Sequence, residues 1–204
     1  MQLLLKYATI KIIIPKRVIK LFYILLSYLL GTILFAVVLG KVKGIDLQHA
    51  NSGNLGARNA GRTLGKWAFI FVAVGDGLKG LLVVVVGRML ELPELTIALA
   101  VIAVVLGHLY PFWNRGKGGK GVATVIGAMV AFSPLLIFVF LAGFLLSLLV
   151  TKSATLSMTG GFILYGIIMS VYIEAGFIVT IALVLVIWKQ RHSIVERVKP
   201  NVLE

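Results

Sequence analysis

Residues 121–151 read GVATVIGAMVAFSPLLIFVFLAGFLLSLLVT, 31 positions without a single charge. One helix of that length would be about 46 Å long, against a membrane hydrocarbon core of about 30 Å. Ser133-Pro134 lies inside the run, and proline removes a helical hydrogen bond and clashes with the preceding turn. The stretch is therefore either one over-long helix or two short ones that break at Pro134. Outward from it, the other uncharged runs are 21–39, 67–87 (interrupted by Asp76 and Lys79), 95–113, 153–173 and the shorter 175–188. A crossing helix needs roughly 20 mostly apolar residues. The chain thus has six spans if 121–151 is one helix and seven if it breaks.

Charge placement separates the two counts, because cytoplasmic loops collect Lys and Arg. With seven spans, one face holds Lys41, Lys43, Arg58, Arg62, Lys66, Arg115, Lys117, Lys120, Lys152, Lys189, Arg191, Arg197 and Lys199, 13 in all, and the opposite face holds Arg88. With six spans the split is 8 to 6. The expected fold is all-α, a polytopic membrane bundle of seven transmembrane helices, some short or broken, with its basic face in the cytoplasm. Composition agrees: of 204 residues 60% are apolar and 13% charged, where a soluble domain averages about 45–50% and ~25%. That excludes a disordered chain, a soluble nucleic-acid binder and an ordinary cytosolic enzyme. The absence of cysteine removes disulfides and thiolate chemistry, and His49, His108 and His192 are too scattered for a metal cluster.

The expected organisation is a basic N-terminal extension over 1–20, a membrane domain over 21–190 and a basic cytoplasmic tail over 191–204. Lys6, Lys11, Lys16, Arg17 and Lys20 fit the charge pattern poorly, since seven spans put them outside. An interfacial helix or a displaced start would explain them better than a cleaved signal peptide, whose apolar segment is shorter than the run that follows.

Two loops on the basic face carry the chemistry. The first reads Ser52-Gly-Asn-Leu-Gly-Ala-Arg-Asn-Ala-Gly-Arg62. Its glycines allow close backbone approach to a ligand. Ser52, Asn54 and Asn59 offer neutral donors, and Arg58 and Arg62 offer forked donors suited to phosphate. The second reads Arg115-Gly-Lys117-Gly118-Gly119-Lys120-Gly121-Val-Ala-Thr124 and feeds an uncharged helix. A glycine-rich turn at a helix N-terminus favours an anion. It is not a nucleotide-hydrolysing P-loop, because no Ser or Thr follows the Gly-Lys pairs. A plain basic turn remains the alternative for each loop.

Asp76 and Lys79 share a helical face inside the second span. They are either a functional intramembrane pair or an ion pair that locks helices, and Gly75, Gly77 and Gly80 around them permit close packing. His108, near the end of the third span, reads as a packing residue, and His49 as a plain loop residue. Thr155 and Ser157 are caps or ligands. Both phosphate-suited loops converge on one face, which points to a membrane protein handling phosphorylated, amphiphilic substrates.

These motifs resemble those of the bacterial acyl-phosphate:glycerol-3-phosphate acyltransferases, the PlsY family. Ser52 to Arg62 resembles the first motif, Asp76-Gly-Leu-Lys79-Gly80 an Asp-x-x-Lys-Gly segment, and Gly107-His108 through Pro111 to Thr124 the second motif. The resemblance spans about 21 to 190. It implies a seven-helix bundle in the bacterial cytoplasmic (inner) membrane, with a site facing the cytoplasm. It implies acyl transfer from acyl phosphate to the 1-position of glycerol 3-phosphate, giving lysophosphatidic acid and inorganic phosphate. Ser52, Arg62 and Lys120 would be catalytic, holding phosphate. Asn54, Asn59, Lys79, His108, Gly118, Gly119, Gly121, Thr124 and His192 would bind substrate or support the pocket. No cofactor, metal or nucleic acid is implied; the partners are the two substrates and membrane lipid, and the protein is expected to be a monomer.

Acyl phosphate is already activated, so no nucleophile is needed, and a substrate phosphate can accept the proton. The His-x4-Asp acyltransferases are excluded, since His49, His108 and His192 are followed at that spacing by Asn54, Trp113 and Arg197. Two departures stand out. Arg58 occupies a place where a small Thr is common. The third motif, Arg-His then Asn-Ile and Arg, reads here Arg191-His192-Ser193-Ile194-Val195-Glu196-Arg197, with no Asn before position 201. The tail is therefore expected to add little to substrate binding. The alternative functions are a non-catalytic or altered-specificity lipid- or phosphate-binding paralogue, and an anion transporter, against which both polar loops lie on one face.

Overall fold

Pro134 does break the uncharged run. In the computed structural model, which describes residues 15–198, helix Val122–Phe132 ends at Ser133, and a short 3-10 turn over Pro134–Leu136 leads into helix Ile137–Thr151. Numbered in chain order, the helices are α1 (Lys16–Thr32), α2 (Phe35–Lys43), α3 (Ala57–Leu64), α4 (Lys66–Met89), α5 (Glu94–Leu109), α6 (Val122–Phe132), α7 (Ile137–Thr151), α8 (Ala154–Tyr172), α9 (Gly176–Lys189) and α10 (Arg191–Val198). Five segments are long and apolar enough to cross a membrane: α1 with α2, α4, α5 with the turn after it, the Pro134–Thr151 segment, and α8. The α9–α10 pair is bent by 60°, and α6 is a shorter apolar helix. Those are the seven apolar segments expected, with the fourth run split into a half-length helix and a full one.

The first segment differs from its sequence reading in two ways. It begins at Lys16, so Lys16, Arg17 and Lys20 belong to the opening turns of α1 rather than to a separate extension. Lys6 and Lys11 lie outside the described residues. The segment also breaks at Ile33-Leu34, which are extended between α1 and α2. Neither proline nor glycine stands at that break. Its exposed carbonyls are taken up from other helices: Trp113 Nε1 donates to Thr32 O at 3.0 Å, and Lys79 Nζ to Gly31 O at 3.1 Å and Ile33 O at 2.7 Å.

The bundle is built around α5, the most buried span, which packs against α1, α4 and α9. Small residues set the closest approaches. A Cβ on Gly127 of α6 would overlap Gly77 O of α4, and one on Gly80 would overlap Thr124 O, so α4 and α6 meet backbone to backbone. α7 packs mainly on α8 and turns Phe138, Leu145, Leu146, Leu149 and Val150 outward, an apolar face suited to lipid. Arg88, the one basic loop residue expected on the opposite face, has a structural use there. Its guanidinium donates to Ala131 O at 2.8 Å and Phe132 O at 2.7 Å, the last carbonyls of α6, which Pro134 helps leave unpaired.

Candidate active site

At the basic end, α3, α4, α6, α8 and α10 surround a cavity of about 400 Å³. Its lining includes the polar residues Ser52, Asn54, Arg58, Arg62, Lys120, Thr155, Ser193, Glu196 and Arg197 and the apolar residues Phe69, Ala73, Val122, Ile126 and Met158. Asp76 and His108 also reach it.

The first loop becomes useful through α3. Extended Gly56 starts that helix, and Arg58 and Arg62, four residues apart, share the face toward the cavity. Asn59 points the other way and is buried. Its Oδ1 accepts from both Ser52 N–H and Ser52 Oγ at 3.1 Å, while its Nδ2 donates to Leu47 O at 2.8 Å. Asn59 therefore fixes Ser52 from behind and does not line the cavity. The Ser52 hydroxyl is free to rotate to a ligand oxygen, because its own N–H keeps Asn59 in place. Asn54 lines the cavity.

The second loop departs from expectation. Gly118 N–H donates to Leu109 O at 3.2 Å and Gly119 N–H to His108 O at 3.0 Å, so neither is free for an anion. A Cβ on Gly118 would overlap His108 O, and one on Gly119 would overlap His108 Nε2. These glycines dock the loop on the end of α5. The anion-suited donors lie further on. Gly121, in the left-handed region at φ 78°, is the N-cap of α6, and the N–H groups of Gly121, Val122, Ala123 and Thr124 make no backbone hydrogen bond among the described residues. Lys120 stands beside them, its Nζ 2.5 Å from Ser193 Oγ. Burial and the positive charge of Arg58 hold the Lys120 ammonium below its usual range; Glu196 opposes this and Arg62 adds to it. Thr124 is buried in the α4–α6 contact, away from the cavity lining, with Oγ1 unpartnered among the described residues.

Asp76, Lys79 and His108 form one buried cluster. Lys79 Nζ is 2.9 Å from Asp76 Oδ1, an ion pair whose angle makes no hydrogen bond. Its three donors go instead to Gly31 O, Ile33 O and His108 Nδ1, the last at 2.9 Å. Lys79 thus lies behind the wall and fastens the broken first segment to α4 and α5. Accepting at Nδ1 assigns the neutral His108 proton to Nε2, toward Gly119. His49 is paired with Asp46 in an exposed loop, 2.7 Å apart.

The tail contributes more than expected. The sharp turn between α9 and α10 folds it back, bringing Gln190, Ser193, Glu196 and Arg197 to the cavity. His192 is exposed and lies outside the lining, although Glu196, one turn further along α10, belongs to it. Thr155 also joins the wall, its Oγ1 accepting from Arg58 Nη1 at 2.9 Å. Residues of the tail escape a reading by spacing, because only the bend places them.

Fold and cavity define a class: a multi-pass helical membrane protein with a pocket lined by both cationic and apolar side chains. Known proteins narrow it. The family described as glycerol-3-phosphate acyltransferase matches residues 21–199. The glycerol-3-phosphate acyltransferase of Geotalea daltonii is 37% identical over 171 residues, covering 82% of this chain and 88% of that protein. That of Bacillus subtilis is 37% identical over 188 residues, covering 88% and 95%. The crystal structure of PlsY, an integral membrane glycerol 3-phosphate acyltransferase, superposes in its glycerol 3-phosphate form with a TM-score of 0.80 at 31% identity, covering 89% of this chain and 92% of that one. Its lysophosphatidic acid form gives 0.78. The chain belongs to the glycerol-3-phosphate acyltransferase (PlsY) family and is an integral membrane acyltransferase.

Proposed function

We propose that the protein transfers a fatty acyl group from acyl phosphate to the 1-hydroxyl of glycerol 3-phosphate, at the cytoplasmic face of a bacterial inner membrane. The observation that carries this reading is the mixed lining of one cavity, which brings Ser52, Arg62 and Lys120 together with Phe69, Ala73, Ile126 and Met158. A phosphate suits the first set and an acyl chain the second. The hydroxyl oxygen attacks the acyl carbonyl carbon, the bond from that carbon to the phosphate oxygen breaks, and a substrate phosphate oxygen takes the hydroxyl proton. Lysophosphatidic acid and inorganic phosphate result; a relative solved in a lysophosphatidic acid form supports that product.

The side chains' task is to position the reactants and to stabilise charge on the leaving phosphate. Lys120 and the free N–H groups opening α6 suit that phosphate, and Arg62 and Ser52 complete the set. Cytoplasmic placement rests on the concentration of Lys and Arg at the cavity end. The test gives purified protein in detergent acyl phosphate or an acyl thioester, each with glycerol 3-phosphate. Expected is lysophosphatidic acid with stoichiometric phosphate release from acyl phosphate only. Turnover of the thioester alone would overturn the donor. Glycerol 3-phosphate binding with no turnover of either would favour a non-catalytic binder.

A further inference from the structure

Arg58, like Arg197, is a cavity cation left without a role by the chemistry above. It precedes Arg62 by four residues on one face of a short helix, an arrangement of like charges that opposes the helix unless something sits between them. Thr155 Oγ1 accepts one of its N–H groups at 2.9 Å. The other donors of its fork have no protein partner among the described residues. Arg62 and Arg197 face it as like charges. Asp76, the nearby carboxylate of α4, is already matched by Lys79 at 2.9 Å. Glu196 is then the one carboxylate on the lining left to offset Arg58, Arg62, Lys120 and Arg197. A single phosphate at Lys120 and the start of α6 leaves this positive excess unmet, whereas two phosphate-bearing substrates meet it.

We propose that Arg58 is a second phosphate-binding residue, its fork aimed by Thr155 at the phosphoryl group that Lys120 does not hold. This rests on the reading that a phosphorylated donor and glycerol 3-phosphate share the cavity. A planar fork held at one corner presents paired donors to a phosphate at little further cost in ordering. The competing role is a tie between α3 and α8, and the two roles separate by mutation. Arg58→Gln removes the charge, Arg58→Lys keeps the charge without the fork, and Thr155→Val removes the tie while keeping the guanidinium.

Inorganic phosphate and glycerol 3-phosphate are titrated calorimetrically into each purified protein, so no turnover is required. R58Q is expected to weaken at least one of the two by about tenfold or more, R58K by less, and T155V by less than R58Q. Loss of glycerol 3-phosphate binding assigns Arg58 to the acceptor; loss of inorganic phosphate binding alone assigns it to the donor's phosphate. Wild-type affinities in R58Q, or an equal loss in T155V, would overturn the proposal. If R58Q does not fold, R58K decides: weaker binding with the charge kept and the fork lost supports Arg58 as a ligand, and wild-type affinities overturn the proposal. Failure of acyl phosphate turnover in the wild type would remove the donor assignment and leave these titrations standing.

Discussion

Lys79 and Arg62 are both cations of a membrane protein, yet their surroundings use them in opposite ways. Lys79 is buried in α4, with its donors spent on Gly31 O, Ile33 O and His108 Nδ1. Arg88, nine residues on, spends its fork on the end of α6. At the cavity, Arg62 makes no hydrogen bond to protein among the described residues, and Lys120 makes one, to Ser193. A charge deep in a membrane segment is a functional candidate by default, but here buried Lys79 and exposed Arg88 both close helix breaks, while Arg62 and Lys120 stay available. Counting donors distinguishes the two groups; depth does not.

The comparison breaks most visibly at Lys79. Lys79→Ala leaves Asp76 buried without its counter-charge and strips Gly31 O and Ile33 O of their donor. Removing one partner of a buried pair costs about 3–5 kcal/mol, so the thermal unfolding temperature in detergent should fall sharply. Changing Asp76 to Asn together with Lys79 to Met should recover part of that loss. A Lys79→Ala protein that unfolds like the wild type but turns over poorly would move the pair from architecture to chemistry. Arg88→Ala is the milder version. It takes the guanidinium from Ala131 O and Phe132 O, exposed and part-buried contacts worth about 1 kcal/mol each. Unfolding should shift in the same direction, with turnover at moderate temperature less affected than stability.

The available cations should show the reverse. Arg62→Ala and Lys120→Ala are each expected to lower turnover at least about tenfold, equivalent to ~1.4 kcal/mol of transition-state stabilisation. Unfolding temperature should change less than in Lys79→Ala. Initial rates and thermal unfolding measured on the same preparations test this directly, and wild-type rates in both variants would remove the phosphate assignment. His192→Ala sharpens the boundary, since His192 is exposed and lies outside the cavity lining. It should cost less than Lys120→Ala; an equal loss would mean that α10 turns during the reaction.

Local chemistry made part of this legible in the sequence. Pro134 announces the break between α6 and α7 because its ring conflicts with a helix anywhere beyond the first turn. The break at Ile33-Leu34 gives no such sign, since it depends on donors that arrive from Lys79 and Trp113, far along the chain. The site divides the same way. Ser52, Arg62 and Lys120 stood out because glycine and basic residues cluster around them. Ser193, Glu196 and Arg197 did not, because they meet the cavity only through the bend between α9 and α10. The glycines of the second loop were conspicuous for a reason other than the one their pattern suggested. Gly118 and Gly119 make room for His108, and the free N–H groups begin at Gly121.

The smallest expected effect is on pH dependence, and it asks whether Lys120 is the group that matters. To hold a phosphate the ammonium must keep its proton, and kcat/KM reports the free enzyme. In the free protein burial, Arg58 and Arg62 favour the neutral amine, whereas Glu196 favours the charged form. As pH rises through this depressed pKa, kcat/KM should fall, giving an alkaline limb below the ordinary lysine range. Glu196→Gln removes the one influence that supports the charge, so the limb should move to lower pH. Lys120→Arg should abolish it, because a guanidinium does not titrate there. A limb that stays in place in both variants would belong to another group, and Lys120 would then hold phosphate by geometry alone or not at all.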